Sequence, residues 1–269
     1  MINDELGKRL KHNYEEAART RLVRRMPVAI RIDGKAFHTF TRGLKKPFDD
    51  ILSASMQKTM LALCKNIQGC VLGYTQSDEI TLILVDYKKL TSDAWFDYEV
   101  QKMCSIAASM ATNYFNKAFT KEVEKWSTQH DKSLLRGDIQ DNFEDIKYYA
   151  TLINCRDEGA MFDARCFNIP KEEVANLIYW RQLDATRNSI EMVARAFFSH
   201  KECEHKNCSV LQDMLMNIHG VNWNNYPTMY KRGSCAIKDD GWHIDYEIPI
   251  FKGENRAYIE SRIIGIEED

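Results

Sequence analysis

Acidic residues stand at the ends of predicted β-strands. Asp33 closes the β-branched run 28–33, and Asp78 and Glu79 follow the apolar run 70–74. If a sheet sets these strands side by side, the carboxylates meet at one edge, where they repel unless a cation lies between them. Carboxylate oxygens suit Mg²⁺, which also recruits substrate phosphates, and two such ions can activate an attacking oxygen and stabilise a leaving pyrophosphate. The pattern therefore indicates phosphoryl or nucleotidyl transfer.

The same acids also have an ordinary structural interpretation. Asp33 precedes Gly34, and Asp-Gly is a common turn sequence. A Ser-Asp-Glu tip between two strands is equally typical of a solvent-exposed hairpin. Pattern alone leaves both interpretations open.

The elements that must position these acids follow from hydrophobic periodicity. In chain order, the sequence predicts a helix at 4–25, a strand at 28–33, a helix at 50–67, a hairpin of strands at 70–74 and 80–85, a helix at 96–119, strand sequence at 148–169, helices at 170–200 and 209–219, and a hairpin strand at 242–248. Residues 120–146 are charged with little periodicity, so a mobile connection is expected there. This order predicts an α+β fold with a split β-α-β-β-α-β layer: a mostly antiparallel, ferredoxin-like sheet with helices on one face, which the helix at 170–200 can cover.

Composition places the chain among globular proteins. The 269 residues are 44% hydrophobic and 28% charged, which is enough for a substantial core. No apolar run approaches the roughly 18 residues that a bilayer-spanning helix needs, and the polar start lacks a secretory signal, so we expect a cytoplasmic protein without membrane contact. Eight scattered cysteines are expected to be reduced thiols.

Charge and linkers describe the organisation of the chain. The net charge is −2, but bases predominate in residues 1–25 and acids in residues 239–269, so a nucleic-acid partner remains open through a local patch. No Pro-rich or Gly/Ser-rich linker marks a boundary. We therefore expect a single catalytic unit, with a core at about 28–169 and a helical and C-terminal part at about 170–269 for RNA binding and oligomerisation.

Six separated motifs extend the acid pattern. They are RIDGKAFHTF at 31–40, KPFD at 46–49, GYTQSDE at 73–79, FDAR at 162–165, WRQ at 180–182 followed by Asp184, and PTMYKRG at 227–233. Their order and approximate spacing over residues 28–235 resemble the tRNA-histidine guanylyltransferase family. The resemblance implies a palm-like sheet, as in polymerases and nucleotide cyclases, and the addition of nucleotides to the 5′ end of tRNA in the 3′-to-5′ direction, with ATP or GTP activating a 5′-monophosphate end.

The resemblance also implies the metal site. Asp33, the backbone carbonyl of Gly34, and Asp78 match the family positions that hold two Mg²⁺ ions. Glu79 matches an acid needed for activity, and it is expected to support the metal site or orient its neighbours. The structural alternative for Glu79 is an exposed turn acid.

The residues implied to bind the nucleotide surround this site. They are Asp33, Gly34, Lys35, Ala36, Phe37, His38, Lys46, Asp49, Ser77, Asp78, Lys102 and Arg165. A glycine at position 34 lets backbone amides approach phosphate oxygens, and the basic residues supply positive charge for a polyphosphate. The alternatives are solvated surface cations for the lysines and the arginine, and for Asp49 a cap on the helix beginning near residue 50.

One segment departs from the family pattern. Where the histidine-specific enzymes carry His-Ile-Asn-Asn, this chain has Thr-Arg-Asn-Ser at 186–189. The sequence thus resembles most the bacterial and archaeal guanylyltransferase-like proteins, which repair truncated tRNA 5′ ends by templated addition. On the helix at 170–200, Arg181, Arg187, Asn188 and Arg195 are the candidates for RNA contact.

Other interpretations stay open beside the resemblance. His200, Cys203, His205 and Cys208 form a compact cluster that zinc could use, with a polar helix end as the alternative. A nucleotide cyclase could use the same acids on a single nucleoside triphosphate, and a non-catalytic tRNA-binding protein would need no acids. The family commonly forms tetramers, so a homotetramer is expected.

Overall fold

Hydrophobic strands and amphipathic helices alternate along the chain. The computed structural model describes residues 4–137 and 142–264. The strands are β1 (Val28–Gly34), β2 (Cys70–Gln76), β3 (Glu79–Leu84), β4 (Phe162–Asn168), β5 (Ser234–Lys238) and β6 (Trp242–Asp245). The helices are α1 (Glu5–Leu10), α2 (Phe37–Phe40), α3 (Asp50–Asn66), α4 (Val100–Arg136), α5 (Phe143–Glu158), α6 (Lys171–Phe197), α7 (His200–Cys203), α8 (Cys208–His219), α9 (Thr228–Arg232) and α10 (Ala257–Ile263).

The described strands form one antiparallel sheet in the order β4-β1-β3-β2-β5-β6. Side chains alternate between its faces along β1. Ile30 and Ile32 join the core shared with α3 and α4, which contains Met60 and Phe115. Ala29 points to the other face, where α6 and α10 pack. The two faces therefore bury separate cores, and each large side chain withdrawn from water contributes about 1.5–3 kcal/mol.

This architecture confirms the predicted α+β fold class. The first strand, the helix at 50–67, the hairpin, and the later helices and terminal strand all occur near their predicted positions. Helices α3 and α4 cover one face as expected, and α6 with α10 covers part of the other. Over the described ranges, no helix has both the length and the hydropathy needed to cross a membrane.

The predicted helix over residues 4–25 is wrong in its second half. Regular α-helix stops at Leu10, and a single wide turn follows at Lys11–Glu15. Beyond it, Arg24 binds Asp86 through Nε at 2.5 Å and Arg21 pairs with Asp97. Hydrogen bonding to Asp86 raises the pKa of Arg24. These tertiary ion pairs hold the segment in a non-helical path, which helical spacing alone could not reveal.

Two further expectations about the middle of the chain are wrong. Residues 120–136 continue α4 instead of forming a mobile connection, because Phe119 and Val123 extend its buried stripe. Residues 148–158 belong to α5, with Tyr148, Leu152 and Cys155 buried at helical spacing, so only β4 fulfils the strand prediction for 148–169. The part of the predicted connection at 138–141 lies outside the described residues.

Candidate active site

Pairing of the central strands gathers the predicted acids. In the antiparallel register, Asp33 at the end of β1 lies opposite Glu79 on β3 and opposite Asp163 on β4. The backbone N–H of Gly34 donates a hydrogen bond to the carbonyl oxygen of Asp78, at 3.2 Å. The turn between β2 and β3 therefore rests against the end of β1, and the expected side-by-side placement of these strands is confirmed.

Crowding shifts the ionisation of the two aspartates. Burial raises the pKa of Asp33, and the charges of Glu79 and Asp163 raise it further. Burial also raises the pKa of Asp78, although a hydrogen bond with Ser77 opposes the shift. Over the described part of the chain, neither aspartate forms an ion pair with a lysine or arginine. Two crowded carboxylates that lack such an ion pair are electrostatically unfavourable unless a cation joins them.

These donors fit a divalent ion. The carboxylates of Asp33 and Asp78, with the carbonyl of Gly34 beside them, are the oxygen ligands that Mg²⁺ prefers. No group of three or more His, Cys, Asp or Glu side chains within residues 4–137 and 142–264 is arranged to hold a metal. A metal ion here would therefore depend on water and substrate phosphates for its remaining ligands.

Glu79 occupies a different electrostatic setting from its two neighbours. Its Oε1 accepts a hydrogen bond from Arg31 at 3.1 Å, and its Oε2 accepts one from Arg181. Arg181 is 4% exposed and also donates to Asp184, at 2.8 Å. The guanidinium groups of Arg31 and Arg181 both lie against the ring of Trp180. Glu79 is thus locked between two arginines and is not a free turn acid.

The loop after β1 depends on close packing of Gly34. A Cβ added to Gly34 would lie 2.2 Å from the ring of Phe37. That ring cannot move away easily, because it is buried against Phe115 and Phe162, with ring centroids 5.6 and 5.2 Å away. Ala36 then adopts a left-handed conformation with φ of 54° and opens α2. A side chain at position 34 would displace the loop that approaches the acids.

A cavity of about 610 Å³ opens beside this loop. Its wall includes Gly34, Ala36, Phe37, His38, Lys46, Ser77 and Asp78. One metal-site aspartate and most of the predicted nucleotide-binding residues therefore share one concave surface. The size lies within the usual range for small-molecule sites.

Helix α6 contributes two residues to the same cavity. Met192 and Arg195 lie on its wall, together with Thr41 and Leu52. Sequence reasoning named Arg195 only as an RNA-phosphate candidate and missed the other three. Met192 and Arg195 stand three residues apart and so share one face of α6. This spacing is the feature of the sequence that links Met192 to the candidate residue Arg195.

Three polar residues of the cavity are exposed where a ligand would bind. Lys46 is exposed and forms no ion pair with a described residue, and Ser77 is exposed at the tip of the hairpin. The Nε2 atom of His38 lies 3.1 Å from the hydroxyl of Thr39. The side chains of Lys46, Ser77 and His38 can offer a cation and hydrogen-bond donors to phosphate oxygens. Lys35 is exposed in the same loop but lies outside the cavity wall.

Asp49 lies beside this cavity in a structural setting. It is 4% exposed, and its Oδ1 accepts a hydrogen bond from the N–H of Leu52 at 3.0 Å, which caps α3. Its Oδ2 accepts from the N–H of Lys45 at 3.0 Å and from the hydroxyl of Tyr148 at 2.7 Å. Both oxygens are therefore engaged, as the capping alternative requires.

Lys102 lies far from the cavity. The side chain of Thr112 on α4 accepts a hydrogen bond from the N–H of Phe162, which is the residue paired with Gly34. Lys102 precedes Thr112 on the same helix, so it stands roughly 15 Å further along the axis. Its Nζ lies 4.9 Å from the ring of Phe96. Lys102 therefore stands apart from the residues that line the cavity.

Arg165 belongs to the sheet face that carries the acids. It lies opposite Arg31 on the neighbouring strand, and it donates to Asp163 at 3.1 Å. Its charge lowers the pKa of Asp33, against the larger effect of burial. Arg165 is thus near the aspartate but outside the cavity wall.

The predicted RNA-binding residues on α6 have different surroundings. Arg181 is buried in its ion pairs with Glu79 and Asp184. Arg187 is exposed and pairs with Asp184, and Asn188 lies 3.5 Å from the same carboxylate. Of these three, only Arg187 and Asn188 therefore remain near the surface.

The His/Cys cluster does not assemble as a metal site among the residues that the structure describes. Cys203 and Cys208 are partly buried against the core around α8, and His205 is exposed. All eight cysteines are free thiols, as expected. The interpretation as a polar helix end fits these positions.

An antiparallel sheet with two aspartates at its strand ends beside a nucleotide-sized cavity has the arrangement that a nucleotidyltransferase needs. The model of the tRNAHis guanylyltransferase family matches residues 8–170. The chain belongs to this family.

Solved structures and curated relatives agree with that assignment. A bacterial tRNA(His) guanylyltransferase-like protein in complex with ATP is 39% identical, with a TM-score of 0.79 over 96% of this chain and 99% of that chain. A bacterial guanylyltransferase-like protein in complex with GTP is 37% identical, with a TM-score of 0.74 over 97% of this chain and 99% of that chain. A probable tRNA(His) guanylyltransferase of Dictyostelium discoideum is 25% identical over 89% of this chain and 86% of its own length.

Proposed function

We propose that the protein is a Mg²⁺-dependent 3′-to-5′ nucleotidyltransferase that adds nucleotides to the 5′ end of tRNA and repairs truncated 5′ ends. The observation that carries this proposal is the placement of Asp78 on the wall of the 610 Å³ cavity, with Asp33 on the adjoining strand. The bacterial relatives solved with ATP and GTP support a nucleotide as the occupant of that cavity.

Each residue of the site has a part in the proposed reaction. Mg²⁺ held by Asp33, Asp78 and the carbonyl of Gly34 would favour ionisation of the attacking 3′-hydroxyl and offset the charge of the leaving group. Lys46 and Ser77 hold the phosphates of the incoming nucleotide from two different segments of the cavity wall. Such positioning supplies most of the catalysis in phosphoryl transfer.

Glu79 and Arg181 act in this proposal as positioning residues. The two ion pairs of Glu79 fix the first residue of β3, directly after Asp78. Because Arg181 belongs to α6, the same contact fixes the helix that carries Arg195 to the cavity. Loss of either charge would loosen both the metal-binding turn and the cavity wall.

The 5′ end of the RNA must reach the same cavity. Arg195 lines it, and exposed Arg187 and half-buried Asn188 precede it on α6. We assign these side chains to RNA contact, since guanidinium groups bind phosphates well. Arg181 is buried and is left out of that surface.

The proposal also includes the assembly of the protein, its compartment and the division of the chain into two parts. We propose a homotetramer in the cytoplasm, with residues 28–169 as the palm-like core and residues 170–269 for RNA binding and oligomerisation. Sedimentation equilibrium tests the assembly, and a monomeric mass would remove the tetramer.

A tRNA lacking its first 5′ nucleotide tests the proposed reaction. The protein is incubated with this tRNA, Mg²⁺ and all four nucleoside triphosphates, while the opposing 3′-side base is varied. Addition that follows the opposing base supports templated repair, and addition of guanosine only to tRNA-histidine would assign the histidine-specific activity instead. The matched pair Asp78→Asn and Asp157→Asn separates the site from the surface, because Asp157 is an exposed acid at the end of α5.

Two results would overturn the proposal. A cyclic nucleotide formed without any RNA would assign a cyclase. Tight tRNA binding without addition, unchanged in Asp78→Asn, would assign a non-catalytic binding protein.

A further inference from the structure

A second large cavity lies at the opposite end of the sheet. It is about 680 Å³ in volume, and we call it the distal cleft; its wall includes Cys70, Lys88, Asp93, Lys238, Asp239 and Arg262. Cys70 begins β2, whereas the catalytic turn follows the last residue of that strand. The two cavities are therefore separated by the length of β2, roughly 20 Å.

Two lysines lie on the wall of the distal cleft. Neither Lys88 nor Lys238 forms an ion pair with a carboxylate of the residues that the structure describes. The two charges are close enough to interact, because burial and the charge of Lys238 both lower the pKa of Lys88. Like charges held together in a concavity favour the binding of an anion between them.

Arg262 adds a third cation whose bonding is incomplete. Its Nη2 lies 3.6 Å from Asp239 and its Nη1 donates to the carbonyl of Tyr258, but its buried Nε has no hydrogen-bond partner among the described residues. Asp239 also lies 3.8 Å from His243, so its charge is shared. Asp93 is an exposed carboxylate on the wall. The three cations thus outnumber the two carboxylates of the cleft.

We propose that the distal cleft binds a small phosphate-bearing anion, with its phosphoryl group between Lys88 and Lys238. The concave shape and the volume suit a molecule the size of a nucleotide or pyrophosphate. A phosphoryl group offers several charged acceptor oxygens, which match two ammonium groups and a guanidinium. The site is independent of the catalytic cavity and does not rest on the function proposed for it.

Calorimetry with inorganic pyrophosphate tests the distal cleft in the full chain. The variant K88Q/K238Q removes both unpaired charges, and K65Q/K89Q makes the same change of net charge at exposed lysines outside the cleft wall. We expect affinity for pyrophosphate at the second site to fall at least about tenfold in K88Q/K238Q, since charged hydrogen bonds are lost. The K65Q/K89Q variant should bind like the wild type.

A local reporter shows where the anion binds. Cys70 is half-buried in the cleft wall, and Cys104 is half-buried elsewhere. Pyrophosphate should slow alkylation of Cys70 but not of Cys104, and this protection should disappear in K88Q/K238Q. Equal protection in wild type and K88Q/K238Q would overturn the proposal. Protection by a short single-stranded RNA but not by pyrophosphate would overturn the assignment to a small ligand.

Discussion

The two ends of strand β2 carry cavities of similar volume, and each has a pair of like charges beside it: two aspartates at one end and two lysines at the other. At the catalytic end, Asp33 and Asp78 converge without an ion pair to a lysine or arginine; at the other end, Lys88 and Lys238 converge without an ion pair to a carboxylate, as far as the described residues extend. In both places burial raises the cost of the unpaired charge, as the raised aspartate pKa and the lowered lysine pKa show. Unpaired like charges in a concavity therefore identify where a ligand of the opposite sign completes the structure.

Glu79 lies in the same sheet, but its charge is balanced by ion pairs within the protein. It stands next to Asp78 in sequence, yet two arginines bind its carboxylate. The two adjacent acids therefore differ in role: the carboxylate of Glu79 is bound by two arginines, and that of Asp78 stays available to a ligand. Variants that exchange or remove these charges test that division.

The largest effect is expected at the catalytic aspartate. In Asp78→Asn, nucleotide addition should fall by about a thousandfold or more, because the site loses a carboxylate that would hold the metal ion, whose charge offsets that of the leaving group. Thermal unfolding should stay at the wild-type temperature or rise, since a crowded carboxylate is removed. The measurement is single-turnover addition to a labelled tRNA, beside a melting curve. Full activity in this variant would contradict the metal assignment.

The second prediction concerns stability, and the variant replaces the buried Arg181. In Arg181→Met, Glu79 and Asp184 lose a shared partner, and breaking such a pair costs about 3 kcal/mol in the free energy of unfolding. The control is Arg195→Met, where the cation is exposed and pairs only with Glu191 on its own helix, among the described residues. Urea unfolding measures both, and the double variant Glu79→Gln/Arg181→Met should lose less than the sum. Additive losses would show that the two side chains are not coupled.

The glycine of the nucleotide loop sets a steric limit. In Gly34→Ala, the new Cβ collides with the Phe37 ring, so we expect a loss of about 2 kcal/mol in unfolding free energy and weaker ATP binding. The second variant Gly34→Ala/Phe37→Leu removes the ring and should recover part of this loss. If Gly34→Ala alone bound ATP as the wild type does, the loop would not shape the cavity.

Local patterns were sufficient to predict the strands that carry the acids. Runs of β-branched and apolar residues place β1, β2 and β3, and the pairing of β1 with β3 brings Asp33 to Glu79. The length of α4 could not be judged from charge, because its buried stripe is narrow and continues through Phe119 and Val123. Sequence alone favoured a charged connection there, since most of the surface residues of that stretch are polar.

Contacts between residues far apart in the chain could not be predicted from local sequence patterns. The ion pair of Arg181 with Glu79 joins residues that are 102 positions apart, so its burial had no local signal. The distal cleft was equally invisible, because Lys88 and Lys238 are brought together only when β5 joins the sheet beside β2. Candidate residues followed from motifs, whereas their division into ligand-binding and structural roles required the tertiary structure.

The smallest expected effect is a pH dependence at the distal cleft. The pKa of Lys88 lies below its ordinary value of 10.5 in the folded chain. Between that lowered pKa and 10.5, the unfolded chain binds more protons, so the free energy of unfolding rises with pH. Comparison of wild type with Lys88→Gln isolates this contribution, which should stay below about 1 kcal/mol because the side chain is partly exposed. Saturating pyrophosphate should favour the charged form of Lys88 and reduce the difference in slope. An identical slope in both proteins without ligand would show that the pKa of Lys88 is not lowered in the folded chain.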